Sequence, residues 1–352
     1  MSAKGKGARR VAIWAGKFFL ANVFALVVLS IVGSWYYYGG QNFEAPIANE
    51  TLDRPEPNSY VSRCVEGRGF ARLDANGYNN AFYRERGWDL ADVDALLQGS
   101  SYLESFQTSE NETFVYRLNE AFENGPETLK FYSCGRSSHT FVTSTARYED
   151  ALKLFKPKKY AMIECFAVPS VADVEKSLNN DLKNFSGLPT KTKRILKWFR
   201  FLPWLHLKYF EGCVKPRLTA QKPAPQDATP EEKKASWTKL ARKIRATSDE
   251  YGVTPIIFFH IAFGLNQDGT VFPRYDVEEL AAFRAVCESE GIVFVDATQR
   301  MRREYEENNV WGYGFGNAEL VSGHFNPDGH RILAEVLAET IRELDAKEKA
   351  KQ

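Results

Sequence analysis

Between residues 94 and 347 short apolar runs alternate with longer amphipathic stretches, and this alternation limits the folds open to the chain more than any other feature. The runs at 94–97, 129–134, 160–165, 255–261 and 292–296 have strand length. The stretches at 113–124, 144–155, 236–251, 277–290 and 328–347 have helical length. Strands of this kind, separated by helices, predict a parallel sheet with helices on both faces, a three-layer α/β/α domain of flavodoxin-like type. In such sheets ligands bind beyond the carboxyl ends of the strands, so the residues at those ends are the candidates for chemistry.

The candidates are unusually polar. The first strand delivers Ser100 and Ser101. The second delivers Ser133, Gly135, Ser137, Ser138 and His139, the third Glu164, the fourth His260 and the fifth Asp296. The last loop adds Asn317, Glu319 and His324, followed by His330 just inside the final helix. Four of the five histidines therefore fall at or near the strand-end rim, which favours a polar site over satisfied core histidines. A serine after the first strand and a histidine before the last helix can meet there as nucleophile and base. Each has a plainer reading: Ser100 and Ser101 as turn and cap residues, His139 bonded within its own loop, His260 in the core, and His330 as a packing or capping group.

Composition excludes several classes. Forty-six basic against 45 acidic residues leave a net charge of +1, so no global field argues for nucleic acid. The five cysteines, Cys64, Cys134, Cys165, Cys213 and Cys287, have no metal-site or disulfide-framework spacing. Cys134, Cys165 and Cys287 read as buried thiols, and at most one bridge, involving Cys64 or Cys213, stays open. No ligand spacing predicts a metal, and no cofactor is implied.

The N-terminal region reads as a basic tail (1–17), an apolar transmembrane signal anchor (18–38) ending in Trp35-Tyr36-Tyr37-Tyr38, and a Pro-bearing stalk (39–69). Lys4, Lys6, Arg9 and Arg10 place the N-terminus in the cytoplasm and the domain at 70–347 outside it. Residues 348–352 form a tail. Within the domain, 186–235 reads as an insertion. Its basic, aromatic stretch 191–217 fits an interfacial helix pair or a helical face packed on the domain.

The order of Gly99-Ser100-Ser101, the Gly135 block and Gly323-His324 before the C-terminal helix resembles the SGNH or GDSL hydrolases. More closely, 97–101, 133–141, 160–165 and 314–330 resemble membrane-anchored bacterial members found with cell-envelope glycan machinery. The resemblance implies Ser101 as nucleophile and His324 as general base. It implies an oxyanion hole made by the backbone N–H following the nucleophile and by Gly135, with Ser133, His139, Glu164, His260 and Asn317 as further oxyanion or substrate candidates. Four departures accompany it. Ser100 stands where the family has Asp, Ser105 where it has Gly, no Asn follows Glu164 in 165–169, and Val321 occupies the position of the acid before the histidine. The acid orienting His324 is therefore open among Glu319, Asp296 and Glu164. The function implied is a membrane-anchored, extracytoplasmic serine esterase or O-acyltransferase acting on acyl, for instance acetyl, esters of envelope glycans or lipid-linked sugars. The alternative is a catalytically degenerate domain that binds glycan or envelope-assembly proteins.

Overall fold

The computed structural model describes residues 3–37, 57–63, 66–123, 125, 128–137, 139–179, 228–318 and 320–350. The chain divides into two units, and α1 (Ala3–Tyr37), which belongs to the first, is considered by itself. Its side chains are described at 13–29 and at 32, and Trp14, Phe18, Phe19, Leu20, Phe24 and Leu29 among them are exposed. Among the described residues no helix is long and apolar enough to cross a membrane. The basic aromatic stretch 191–217, Cys64, Cys213, Glu319 and most of the expected stalk lie outside the described residues.

The second unit is built on five parallel strands: β3 (Ala95–Gln98), β4 (Phe131–Ser133), β5 (Tyr160–Cys165), β6 (Thr254–Phe259) and β9 (Val293–Asp296). They lie in the order β4-β3-β5-β6-β9. Because β3 to β6 are covered on both faces, they read as continuous apolar runs, and their pleat sorts side chains alternately into two cores. Leu96, Ala161, Ile163, Ile257 and Phe259 join one core. Leu97, Met162, Ile256, Phe258 and Val295 join the other. Helices α5 (Phe141–Ala146), α6 (Tyr148–Phe155), α8 (Pro230–Glu250) and α9 (Val277–Ser289) supply the first layer, and α4 (Phe114–Glu123) and α11 (Pro327–Lys349) the second. The mainly parallel three-layer α/β/α fold is thus present. Chain order reverses between β3 and β5, so the switch point lies where Ser101 and Glu164 leave the sheet.

Several elements go beyond the sequence reading. Residues 60–72, taken in part as stalk, form an antiparallel hairpin of β1 (Tyr60–Arg63) and β2 (Gly69–Arg72), with Val61, Ala71, Leu73 and Phe106 packed together. The lead-in after it is held by Asp74, whose carboxylate accepts the N–H groups of Asn76 at 2.8 Å and Tyr78 at 3.0 Å, and it ends in α2 (Ala81–Arg86). Helix α7 (Val171–Leu178), the two-residue strands β7 (Gly264–Leu265) and β8 (Val271–Phe272), and α10 (Thr298–Asn308) also form. Finally, β10 (Tyr313–Gly314) pairs with β11 (Leu320–Phe325), which hands the chain to α11 through the N-cap Asn326.

His330 in α11 is fully buried and lies parallel to the Phe114 ring at 6.0 Å. Burial, helped by Arg117, holds its imidazole well below the usual 6.5, at about 3. The unfolded chain therefore takes up a proton near pH 6.5 that native His330 refuses, and stability falls as pH drops below that point toward 3. The loss from this residue amounts to about 2 kcal/mol by pH 5. Denaturant unfolding at pH 7 and pH 5 should show the pH-dependent loss reduced by that amount in His330→Phe. An identical loss in both proteins would rule out His330 as a source.

Candidate active site

Ser101 is the first residue of the one-turn helix α3 (Ser101–Glu104), directly beyond β3. Ser100 caps this turn, its Oγ accepting the Tyr102 N–H at 3.2 Å, so Ser100 fills the structural role and the N–H following Ser101, expected as an oxyanion donor, is already engaged by the cap. The N–H of Ser101, as the first of the helix, has no partner within the turn. Ser105 ends the turn at φ +56°, a left-handed conformation that glycine adopts more readily than serine.

His324 arrives from β11. Its Nε2 lies 2.7 Å from Ser101 Oγ and its Nδ1 2.6 Å from Glu66 Oε2. The other oxygen of Glu66 accepts the His324 backbone N–H at 2.5 Å. One carboxylate thus grips both the ring and the main chain of the histidine. Since a carboxylate only accepts, Nδ1 carries the ring proton, leaving Nε2 free to accept from the Ser101 hydroxyl. A hydroxyl, an imidazole and a carboxylate in this hydrogen-bonded series have the order that a nucleophile, base and orienting acid require.

Glu66 lies in the β1–β2 turn, a region the sequence reading assigned to the stalk, and none of the three proposed acids occupies its place. Glu319 lies outside the described residues. Asp296 binds Arg284 at 2.6 Å and accepts the Thr298 N–H at 3.0 Å. Glu164 faces Ser100 and His260. Asn317, expected as an oxyanion donor, instead supports the acid: its Oδ1 accepts the Gly67 N–H at 2.9 Å and its Nδ2 donates to the Gly67 carbonyl at 2.8 Å. Gly323 completes the fit. At φ +88° it adopts a conformation that disfavours side chains, and a Cβ there would overlap the Glu66 carboxylate. Gly323→Ala should cost about 1–3 kcal/mol and, by displacing the acid, about 10²-fold in turnover. Steady-state rates corrected for folded fraction would test this, and an unchanged rate would mean that the Glu66 contact is dispensable.

The second block lies flat on α3. A Cβ on Gly135 would strike Leu103 and the Glu104 backbone N–H at 2.7 Å, so only glycine admits this approach. Asn80 holds Ser133 by its N–H at 2.8 Å and its carbonyl at 3.0 Å, while Ser133 Oγ accepts the Gly135 N–H at 3.3 Å. His139 faces Arg147 at 3.5 Å rather than His324. Burial first, then Arg147 and Arg136, hold it at about 3, so it is a neutral ring. His260 is completely buried beside Glu164, with Nε2 to Oε1 at 2.8 Å. Cys134, Cys165 and Cys287 are buried free thiols, their titration pushed up by burial. Among the described residues no group of three or more His, Cys, Asp or Glu could hold a metal ion. A cleft of about 470 Å³, bordered by Gly67, Arg68, Ser109, Glu112 and Phe315, opens beside the Glu66 segment.

No family model matches the chain, and no curated protein does. Among solved structures it is similar to the psychrotrophic esterase EstA from Pseudoalteromonas sp., at 12% identity and TM-score 0.39, covering 71% of this chain and 98% of that one. It is similar to the acetyl xylan esterase AlAXEase at 11% and 0.40, covering 70% and 99%. A protein of Slackia heliotrinireducens described as an SGNH hydrolase stands at 11% and 0.37, covering 71% and 98%. Likeness at this level carries nothing about activity or substrate, which must come from the site itself.

Proposed function

We propose that the chain is a serine ester hydrolase or O-acyltransferase. The observation that carries this reading is the Ser101–His324–Glu66 series, with contacts of 2.7 and 2.6 Å. Ser101 Oγ attacks the ester carbonyl carbon as His324 Nε2 takes its proton, and Glu66 stabilises the imidazolium. We assign the N–H of Ser101, unpaired within its turn, and the Gly135 N–H, held by a 3.3 Å contact to Ser133 Oγ, as the donors to the carbonyl oxygen as negative charge develops on it. Collapse expels the alcohol, which leaves with the proton from His324. Water or a sugar hydroxyl, deprotonated by His324, then attacks the acyl-serine. Water gives hydrolysis and a sugar gives transfer.

The acceptor and location form the finer part of the proposal. The described side chains of α1 at 13–29 and at 32 are mostly apolar and exposed, and Lys4, Lys6, Arg9 and Arg10 precede them in the sequence, which favours a membrane anchor with the α/β domain outside the cytoplasm. The cleft beside Glu66 offers an aromatic face on Phe315 and polar groups on Arg68, Ser109 and Glu112, a lining suited to a sugar ring of an acylated glycan or lipid-linked sugar. With Glu66 as the acid beside His324, the enzyme is favoured over the catalytically degenerate, glycan-binding alternative. The full chain in detergent should release acetate from an acetylated polysaccharide, or move it to an added sugar, with kcat/KM exceeding that for p-nitrophenyl butyrate. Turnover of the chromogenic ester alone would retire the glycan assignment, and turnover of neither would retire the enzyme.

A further inference from the structure

A second acid–imidazole pair lies beneath the nucleophile. By the pleat of the sheet, Glu164 at the end of β5 and His260 just beyond β6 point to the face covered by α4 and α11, and they are only 1% and 0% exposed. Glu164 Oε2 accepts the Ser100 N–H, and Oε1 lies 2.8 Å from His260 Nε2. His260 Nδ1 in turn lies 3.1 Å from the Tyr313 hydroxyl. Burial above all, with Tyr102 and Glu164 nearby, keeps the Tyr313 phenol protonated well above its ordinary range. Tyr313 is therefore the donor, Nδ1 accepts, and Nε2 carries the proton given to Glu164. Every polar atom in the series is satisfied in one direction.

Its two ends explain its use. Ser100 immediately precedes the nucleophile. Tyr313 lies in β10 and pairs with Phe325 of β11, the residue after His324. Resting on the reading of Ser101 and His324 as nucleophile and base, we propose that Glu164 is a positioning residue which, through His260 and Tyr313, ties the serine turn to the histidine hairpin and sets the Oγ–Nε2 separation. Tyr102 reinforces the tie: its hydroxyl donates to the Gly323 carbonyl at 3.1 Å, while its ring lies 4.7 Å from that of His260 and 5.2 Å from that of His324. Gly99 is part of the same device, because a Cβ there would overlap the Glu164 carboxylate. Fold stability alone does not call for such a group, since a buried ionic or polar cluster is commonly replaced by apolar residues without loss.

The test uses the full chain in detergent. Glu164→Gln keeps the shape but cannot accept from both donors. It should lower kcat for p-nitrophenyl acetate, and the rate of fluorophosphonate attachment to Ser101, by about 10- to 100-fold with KM unchanged. Tyr313→Phe, which touches neither catalytic group, should lower both about tenfold by the same misalignment. The double variant should fall no further than Glu164→Gln, because the series is already broken. A structural role predicts a lower melting temperature, unchanged rates per folded molecule and additive effects, and that pattern overturns the proposal. If the wild-type chain is inert toward both reagents, the enzyme reading fails separately. The His324 ring-proton chemical shifts, assigned with His324→Gln, then decide the positioning role: Glu164→Gln should move them toward those of Ser101→Ala, and spectra that overlay the wild type overturn it.

Discussion

Glutamine in place of Glu66 is expected to lower kcat for ester hydrolysis by about 10⁴-fold with little change in KM. The carboxylate of Glu66 accepts from both the Nδ1–H and the backbone N–H of His324, and a glutamine oxygen can serve only one of them. If the amide nitrogen faces Nδ1, the ring moves its proton to Nε2, which then cannot take the proton of Ser101. If it faces the main chain, two donors oppose each other and the β11 backbone shifts. In either orientation the negative charge that stabilises the imidazolium in the transition state is gone. Glu66 is part exposed, at 23% of its side chain, so its replacement changes global stability little and the kinetic loss is readable on folded protein. Glu66→Asp keeps the charge but not the reach and should fall between wild type and Glu66→Gln. Activity of Glu66→Gln within tenfold of wild type would mean that another group orients His324.

Ser101→Ala and His324→Ala should each remove about 10⁵- to 10⁶-fold in kcat, with the double variant no worse than either single one. This non-additivity is characteristic of groups that act in one step. Without Nε2 at 2.7 Å the Ser101 hydroxyl is a poor nucleophile at neutral pH, and without the hydroxyl the imidazole has nothing to deprotonate. Both side chains lie at the rim and outside the two cores, so circular dichroism and melting temperature should stay near wild type. Additive losses, or appreciable turnover in Ser101→Ala, would place the reaction elsewhere.

Strands β3 to β6 were legible because strands buried on both faces must be apolar throughout, and Leu96, Ile163 and Phe258 show that constraint plainly; β9, partly exposed, keeps the apolar run Val293–Val295. Ser101 and His324 were legible from position, since topology alone brings the end of an early strand and the entry to the last helix to one rim. Glu66 was not. It pairs with a residue 258 positions away, sits in a two-strand hairpin too short to show a strong alternation, and follows a Pro-bearing polar stretch that reads as a linker. The available signal was faint: Val61 turns inward beside an outward Tyr60, Ala71 turns inward between outward Phe70 and Arg72, and glycines at 67 and 69 follow a lone acid. Helix α10 escaped for a different reason. Thr298 and Met301 are its buried residues, and its remaining charged surface carries no apolar stripe. The roles of Asn317 and Glu164 also lay beyond spacing, because each is defined by a main-chain N–H that it holds rather than by its own neighbours.

Covalent labelling by a fluorophosphonate probe reports whether His324 activates Ser101. Ser101 Oγ forms a bond to phosphorus, the phosphorus–fluorine bond breaks, fluoride leaves and His324 takes the hydroxyl proton. Peptide mapping of the labelled full chain is expected to find the adduct on Ser101 alone, and to find none in His324→Ala. An unlabelled wild-type chain, or an adduct on another serine that survives loss of His324, would contradict the account.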